Sequence, residues 1–180
     1  SNDSLTLLAN TLATVFALYF LITVFGDHSS HFNPVVSMVM LVRKEITTQV
    51  CTVFIILQIS GAILGVMLAN YIFELDPVYF SEKPRSGTHL FVSEILATFG
   101  LLMVILLSSK EKVAVTVAAY IGAAYWFTSS TSFANPAGTI GRSFSNTFAG
   151  ISTNDILHFC VAQLIGALFA LLVYNKFFKK

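Results

Sequence analysis

Asparagine and proline stand side by side twice in this chain, at Asn33-Pro34 and at Asn135-Pro136. The pairing has a chemical meaning. An asparagine side chain caps the start of a helix, and proline suits the first helical position, where no N–H is needed. A helix start also presents unsatisfied backbone N–H groups and the positive end of the helix dipole. With an asparagine amide beside it, such a start repels cations and offers donors to a neutral molecule that has lone pairs. A lone Asn-Pro is an ordinary turn dipeptide, so what surrounds each pair carries the weight.

The surroundings match. His31-Phe32-Asn33-Pro34-Val35 is followed by Gln58-Ile59-Ser60-Gly61-Ala62, and Phe133-Ala134-Asn135-Pro136-Ala137 by Gln163-Leu164-Ile165-Gly166-Ala167. The Asn-to-Gln separation is 25 residues in the first copy and 28 in the second. Two copies in corresponding places outweigh the turn reading. Inverted repeats are a known way to build transport proteins.

The elements that position these pairs must live in lipid. Apolar residues make up 56% of the 180 residues and charged residues 11%, against about 25% charged in soluble domains, and mean hydropathy is +0.79. No Asp, Glu, Lys or Arg occurs in 4–26, 46–73, 113–141 or 156–175, and only Glu94 interrupts 86–109. Uncharged apolar runs of about 20 residues suit bilayer-spanning helices, whose backbone must be satisfied internally. The sequence predicts five such helices, near 5–25, 47–72, 89–108, 113–131 and 156–175. The first lacks the basic start and cleavage site of a signal peptide. The segment 34–42 after the first Asn-Pro holds nine residues, about 13 Å of helix, too short to span. Each Asn-Pro therefore opens a half-helix, and the two half-helix starts are expected to meet at mid-membrane.

Orientation follows from the basic residues. With the first helix running inward, Arg43, Lys44, Lys110, Lys112, Lys176, Lys179 and Lys180 lie inside and Lys83, Arg85 and Arg142 outside. The positive-inside rule favours that arrangement, with a cytoplasmic C-terminus in the cell membrane. The chain reads as a single channel domain over 1–180: a first repeat over 1–73, an external linker over 74–87 and a second repeat over 88–180. The net charge of +1 suggests no nucleic-acid partner.

The two Asn-Pro motifs, the Ser93-Glu94-Ile95-Leu96-Ala97-Thr98-Phe99 segment and the paired Q-x-x-G-A helices resemble the aquaporin and aquaglyceroporin family, the major intrinsic proteins. The resemblance covers essentially the whole chain. It implies an all-α inverted-repeat bundle with two re-entrant half-helices, a homotetramer with one pore per subunit, and passive conduction of small uncharged solutes. The range expected is water, glycerol-like polyols and neutral metalloid hydroxides such as arsenous acid. The family fold has six spanning helices, so a first helix before residue 5 is the missing element. The family also carries an arginine directly after the second Asn-Pro-Ala, where this chain has Gly138. Carried over by spacing, the remaining constriction positions fall on Thr14, Ala123 and Ser132. All are small, which implies a wide filter without a fixed cation. Arg142, one turn beyond Gly138, either points back to the pore or bonds loop carbonyls. A subset of the family is similar around Tyr125-Trp126-Phe127 and over 143–151, and some of its members accompany arsenic-handling genes.

Other residues have plainer readings. Glu94, an ionisable group in a spanning helix, is either a buried acceptor for loop N–H groups or a proton-coupling carboxylate; the first is preferred. Gln58 and Gln163 are read as polar glue between helices, and Gly61, Gly65 and Gly166 as sites of close helix contact. His31 either faces the mouth of the pore or braces its loop. Tyr125 and Trp126 read as lipid-anchoring aromatics. Cys51 and Cys160 read as small hydrophobes. No metal-ligand spacing, cofactor motif or catalytic motif occurs. The rivals to a channel are a proton-coupled secondary transporter using Glu94 and a non-conducting structural membrane protein.

Overall fold

Side-chain caps set the starts of most helices in the computed structural model, which describes residues 2–179. Asn2 Oδ1 accepts from Ser4 N and opens α1 (Asp3–Phe25). Asn33 Oδ1 accepts from Val35 N and opens α2 (Pro34–Val42), and Thr47 caps α3 (Thr48–Ile72). The second half holds α4 (Thr88–Leu107), α5 (Val113–Phe127), α6 (Pro136–Arg142) and α7 (Ile156–Phe177). Asn135 Oδ1 accepts from both Ala137 N and Gly138 N at the start of α6. No strand occurs among the described residues.

Four of these helices, α1, α3, α4 and α7 with the 3₁₀ turn before it, are long and apolar enough to cross a membrane. The fifth expected span is shorter than the sequence suggests. α5 has 15 residues, about 22 Å of helix, and stops at Phe127 rather than 131. The five hydroxyl residues Thr128 to Ser132 account for this, because such side chains offer the backbone alternatives to the helix. Thr128 Oγ1 turns back to Ala124 O, Thr131 and Ser132 take positive φ (61° and 48°), and the chain re-enters the bundle.

The half-helices lie between the long helices. α6 packs on α3 and α7, and α2 on α3 and α7, while α1 pairs with α5 and α4 with α7. α4 and α7 approach backbone to backbone. A Cβ on Gly166 would lie 2.4 Å from Ile95 O and 3.0 Å from Phe99 N. Within the chain Gly61 and Gly65 make no such contact: a Cβ on either meets nothing within 4 Å. They lie on α3, which buries only Cys51 and Asn70 and leaves Val53, Ile56, Leu57, Leu64 and Leu68 exposed. Helices apolar on all sides suit a lipid surround.

The linker over 74–87 is laced to the segment after α6. Tyr79 N donates to Phe144 O (3.2 Å), Ser81 N to Ser143 O (2.8 Å), and Ser152 N to Lys83 O (2.7 Å). Cys51 is buried, Cys160 is half-buried, and both are free thiols.

The glycine contrast is testable by thermal unfolding in detergent. Gly166→Val should lower stability by about 1–3 kcal/mol, the usual range for overpacking. Gly65→Ala should leave stability unchanged or raise it by up to about 1 kcal/mol, the helix-propensity gain of alanine.

Candidate functional site

The two Asn-Pro turns bind each other. Asn33 Nδ2 donates to Ala134 O (2.7 Å), and Asn135 Nδ2 donates to Phe32 O (2.8 Å). Each amide thus reaches the carbonyl that precedes the other asparagine. Those carbonyls point inward because Phe32 and Ala134 both adopt φ of 47°, a left-handed conformation costing about 1–2 kcal/mol outside glycine. Each asparagine Oδ1 is committed to its cap, so the amide orientation is fixed and Nδ2 faces outward as a donor. The second N–H of each Nδ2 has no partner among the described residues.

Around this junction runs a cavity of about 200 Å³, several times the ~30 Å³ a water molecule takes up in the liquid. Its walls follow helical periodicity, each helix giving one row of residues spaced by four: Thr14, Leu18 and Ile22 from α1, Leu101 and Ile105 from α4, and Val113, Val117, Ile121 and Tyr125 from α5. Val36 and Met40 come from α2, and Gly138 and Arg142 from α6. The walls are mainly apolar, with polar groups at three levels. His31 and Ser30 stand on the α2 side, Asn33 and Asn135 at the junction, and Thr14, Tyr125, Ser132 and Arg142 on the side where the 74–87 linker lies.

Of the residues singled out in the sequence, His31, Asn33, Asn135, Thr14, Ser132, Gly138 and Arg142 line this cavity. Ala123 does not. It is exposed, two positions from both Ile121 and Tyr125 and so about 200° around α5 from the lining row. The α5 position there is Tyr125, which is 2% exposed and buried in the bundle rather than anchored in lipid. Its hydroxyl shares a 3.1 Å hydrogen bond with Thr14 Oγ1 and accepts from Arg142 Nη2 at 2.9 Å. The expectation of a wide end without a fixed cation is therefore overturned: a tyrosine and an arginine stand there. Trp126 is exposed, as a lipid-facing residue should be.

The supporting residues sit behind the walls. Glu94 is fully buried on α4 and accepts four hydrogen bonds, from Ser130 Oγ (2.6 Å), Phe133 N (2.9 Å), Ala134 N (2.8 Å) and Gln163 Nε2 (2.7 Å). It does not line the cavity. Gln163 also donates to Thr139 Oγ1 on α6 (3.0 Å). Gln58 does the same in the other half, donating to Ser37 Oγ on α2 (3.0 Å). Ser37 Oγ also pairs with His31 Nδ1 (3.1 Å), so His31 both braces its loop and faces the cavity. Pro34 and Pro136 occupy the first positions of the half-helices.

Arg85 was not legible in the sequence. It is 6% exposed and ties two loops together, donating from Nε to Gly150 O (2.7 Å), from Nη1 to Ser130 O (3.0 Å) and from Nη2 to Phe148 O (3.2 Å). Burial, then the nearby Arg142 charge, lowers its pKa to about 10, which leaves it protonated at neutral pH. Arg85 and Arg142 both lie over the Phe133 ring, at 4.7 Å and 4.3 Å from its centroid. No group of acidic, histidine or cysteine side chains able to hold a metal occurs among the described residues.

The family described as "Major intrinsic protein" matches this chain over residues 1–174. The chain is also 46% identical over 175 residues to aquaglyceroporin AqpS of Rhizobium meliloti (strain 1021), an alignment that covers 95% of this chain and 75% of that relative.

The Glu94 hub generates a prediction. In Glu94→Gln one carboxylate oxygen becomes an NH₂ group facing donors, and each buried group left unsatisfied costs about 1–3 kcal/mol. The variant should melt at a lower temperature in detergent, and the 128–135 segment should lose protection in hydrogen exchange. Unchanged stability combined with altered proton coupling would instead make Glu94 a transported-proton site.

Proposed function

Since this chain belongs to the major intrinsic protein family, multi-pass membrane channels for small solutes rather than enzymes, we propose that it is a passive channel with a pore centred on Asn33 and Asn135. It conducts water, glycerol-like polyols and neutral metalloid hydroxides such as arsenous acid. The observation that carries this reading is the reciprocal hydrogen bonding of the two asparagines in the wall of a mainly apolar cavity.

Three physical features support neutral solutes. The Nδ2 groups offer donors whose direction is locked by the caps, so a hydroxyl or water oxygen gains a bond there without reorganising the wall. The half-helices point their positive ends at the same place, a recognised barrier to protons and cations. Anions meet the apolar rows above and below, where losing hydration is costly and unreturned. The name aquaglyceroporin of the relative supports a polyol among the solutes. Arsenous acid is uncharged at neutral pH and, like glycerol, presents several hydroxyls. Glu94 belongs to the supporting framework, since its oxygens hold four donors and it is absent from the cavity wall.

The protein functions as a homotetramer in the cell membrane, with the 74–87 linker outside and the C-terminus in the cytoplasm. The exposed apolar faces of α1 and α3 suit contact with lipid or with a neighbouring subunit.

Stopped-flow measurements on proteoliposomes test the reading with water, glycerol, urea and arsenous acid. Glycerol flux should rise linearly through the low millimolar range and be indifferent to a protonophore. Accumulation of solute against its gradient, abolished by the protonophore, would replace the channel with a coupled transporter. Flux equal to that of empty liposomes for every solute would leave a structural membrane protein.

A further inference from the structure

The internal repeat makes two helix ends comparable. Asn70 and Asn175 each stand 12 residues after the glutamine of their Q-x-x-G-A helix, in the last turns of α3 and α7. Asn70 is covered. Its Nδ2 donates to Pro77 O (3.2 Å) and Phe144 O (2.8 Å), and its Oδ1 accepts from Ser145 Oγ (2.7 Å). The linker and the segment after α6 thus close the space between the ends of α3 and α6. No such closure lies between the ends of α7 and α2 among the described residues. Asn175 is exposed there and lines a cavity of about 660 Å³, within the ~300–1,000 Å³ usual for small-ligand sites.

Three cations line this cavity, Arg43, Lys44 and Lys179, beside the exposed apolar side chains of Val42 and Phe178. Arg43 is held in place: Nε donates to Glu45 Oε1 at 2.6 Å, and the guanidinium lies 4.8 Å from the centroid of the Tyr174 ring. Lys44 and Lys179 have no carboxylate partner among the described residues. Three cations against one carboxylate leave a net charge of +2. Lys44 also holds φ of 64° at a helix end where glycine is the usual residue, and Glu45 N closes that turn on Met40 O (2.9 Å). Cations near a helix C-terminus offset its dipole. Cations pointing in any direction around the two helix ends would do that equally well, whereas these face one space.

We propose that this groove binds the headgroup of an anionic phospholipid. Its phosphate accepts from Lys44, Lys179 and the Arg43 guanidinium, the side chains suited to phosphate, and its acyl chains run past Val42 and Phe178. Basic pockets between spanning helices at a membrane surface suit acidic headgroups. The apolar side chains beside the cations favour a lipid over free phosphate, which would leave them uncovered. The bound lipid joins the end of α2 to the end of α7 and so steadies the half-helix whose other end begins at Asn33. The proposal requires the chain to sit in a bilayer and does not depend on what its pore conducts.

The test offers the full chain in detergent short-chain phosphatidylglycerol, phosphatidylcholine or inorganic phosphate, with binding read by native mass spectrometry. Phosphatidylglycerol should bind roughly tenfold or more tighter than phosphatidylcholine and should raise hydrogen-exchange protection over 34–45. Lys44→Gln combined with Lys179→Gln should weaken phosphatidylglycerol binding roughly thirtyfold, at about fivefold per lysine. Its unchanged water permeability in proteoliposomes would show that the variant is folded. Lys110→Gln combined with Lys112→Gln removes the same charge at the same end of the bundle but outside the groove, and should leave binding unchanged. An equal loss in that control would reduce the groove to diffuse surface charge and overturn the proposal. Equal binding of the two lipids would overturn it as well. Displacement of the lipid by inorganic phosphate at equal concentration would overturn the lipid assignment. The channel reading stands or falls separately, on solute flux.

Discussion

Everything around the cavity depends on two hydrogen bonds, Asn33 Nδ2 to Ala134 O and Asn135 Nδ2 to Phe32 O. They join the starts of two half-helices that come from opposite ends of the bundle, and both starts carry positive dipole ends that repel. The left-handed residues that aim the carbonyls cost about 1–2 kcal/mol each, while a net hydrogen bond contributes about 0.5–1.5 kcal/mol. The two bonds alone therefore come close to break-even. The junction needs further support from the framework behind it.

That support is uneven between the halves. In the second half Glu94 accepts from Phe133 N and Ala134 N, fixing the turn directly, and Gln163 links the same carboxylate to α6. Arg85 then holds the carbonyls of Ser130, Phe148 and Gly150 from the other side. An anion and a cation, each buried and each satisfied by hydrogen bonds, clamp the loop from Thr128 to Asn135. In the first half the corresponding turn relies on Gln58, Ser37 and His31, with no buried carboxylate among its partners; Oε1 of Gln58 and Oε1 of Gln163 are alike buried without a partner among the described residues. The turn before Asn33 is thus the more weakly braced of the two.

The parts of this arrangement that were legible in the sequence are those set by local chemistry. An asparagine followed by proline starts a helix wherever it stands, and both half-helices begin there. A carboxylate in an otherwise uncharged span must be satisfied, and Glu94 is. Position around a helix is less local. Ala123 and Tyr125 differ by two residues, yet two residues turn the chain by about 200°, so a small error in where α5 ends exchanges a lining residue for an exposed one. The run of hydroxyl residues from Thr128 to Ser132 was the available signal that α5 ends early. Arg85 gave no such signal. A basic residue in a polar linker resembles a solvated one, and the carbonyls it binds lie 45 to 65 positions away. Arg142 was visible as the only arginine near the second Asn-Pro, but its direction is set by Tyr125, whose hydroxyl receives it, and by the Phe133 ring it lies over.

On the proposed reading, selectivity is spread along the cavity rather than held at one point. The α2 side is lined by His31, the junction offers two amide N–H groups, and the linker side is lined by Thr14, Tyr125 and Arg142, with apolar rows between them. A neutral solute with several hydroxyls exchanges its water bonds for these groups in turn and crosses the apolar stretches at modest cost. A metal cation finds mostly donors where it needs acceptors, and it meets the positive ends of both half-helices. An anion is drawn to the arginine but loses its hydration beyond it, between Ile121 and Leu101, where no side chain replaces that hydration. The arginine can therefore sit at the entrance without turning the pore into an anion path, because the apolar rows behind it impose the cost that its charge alone does not.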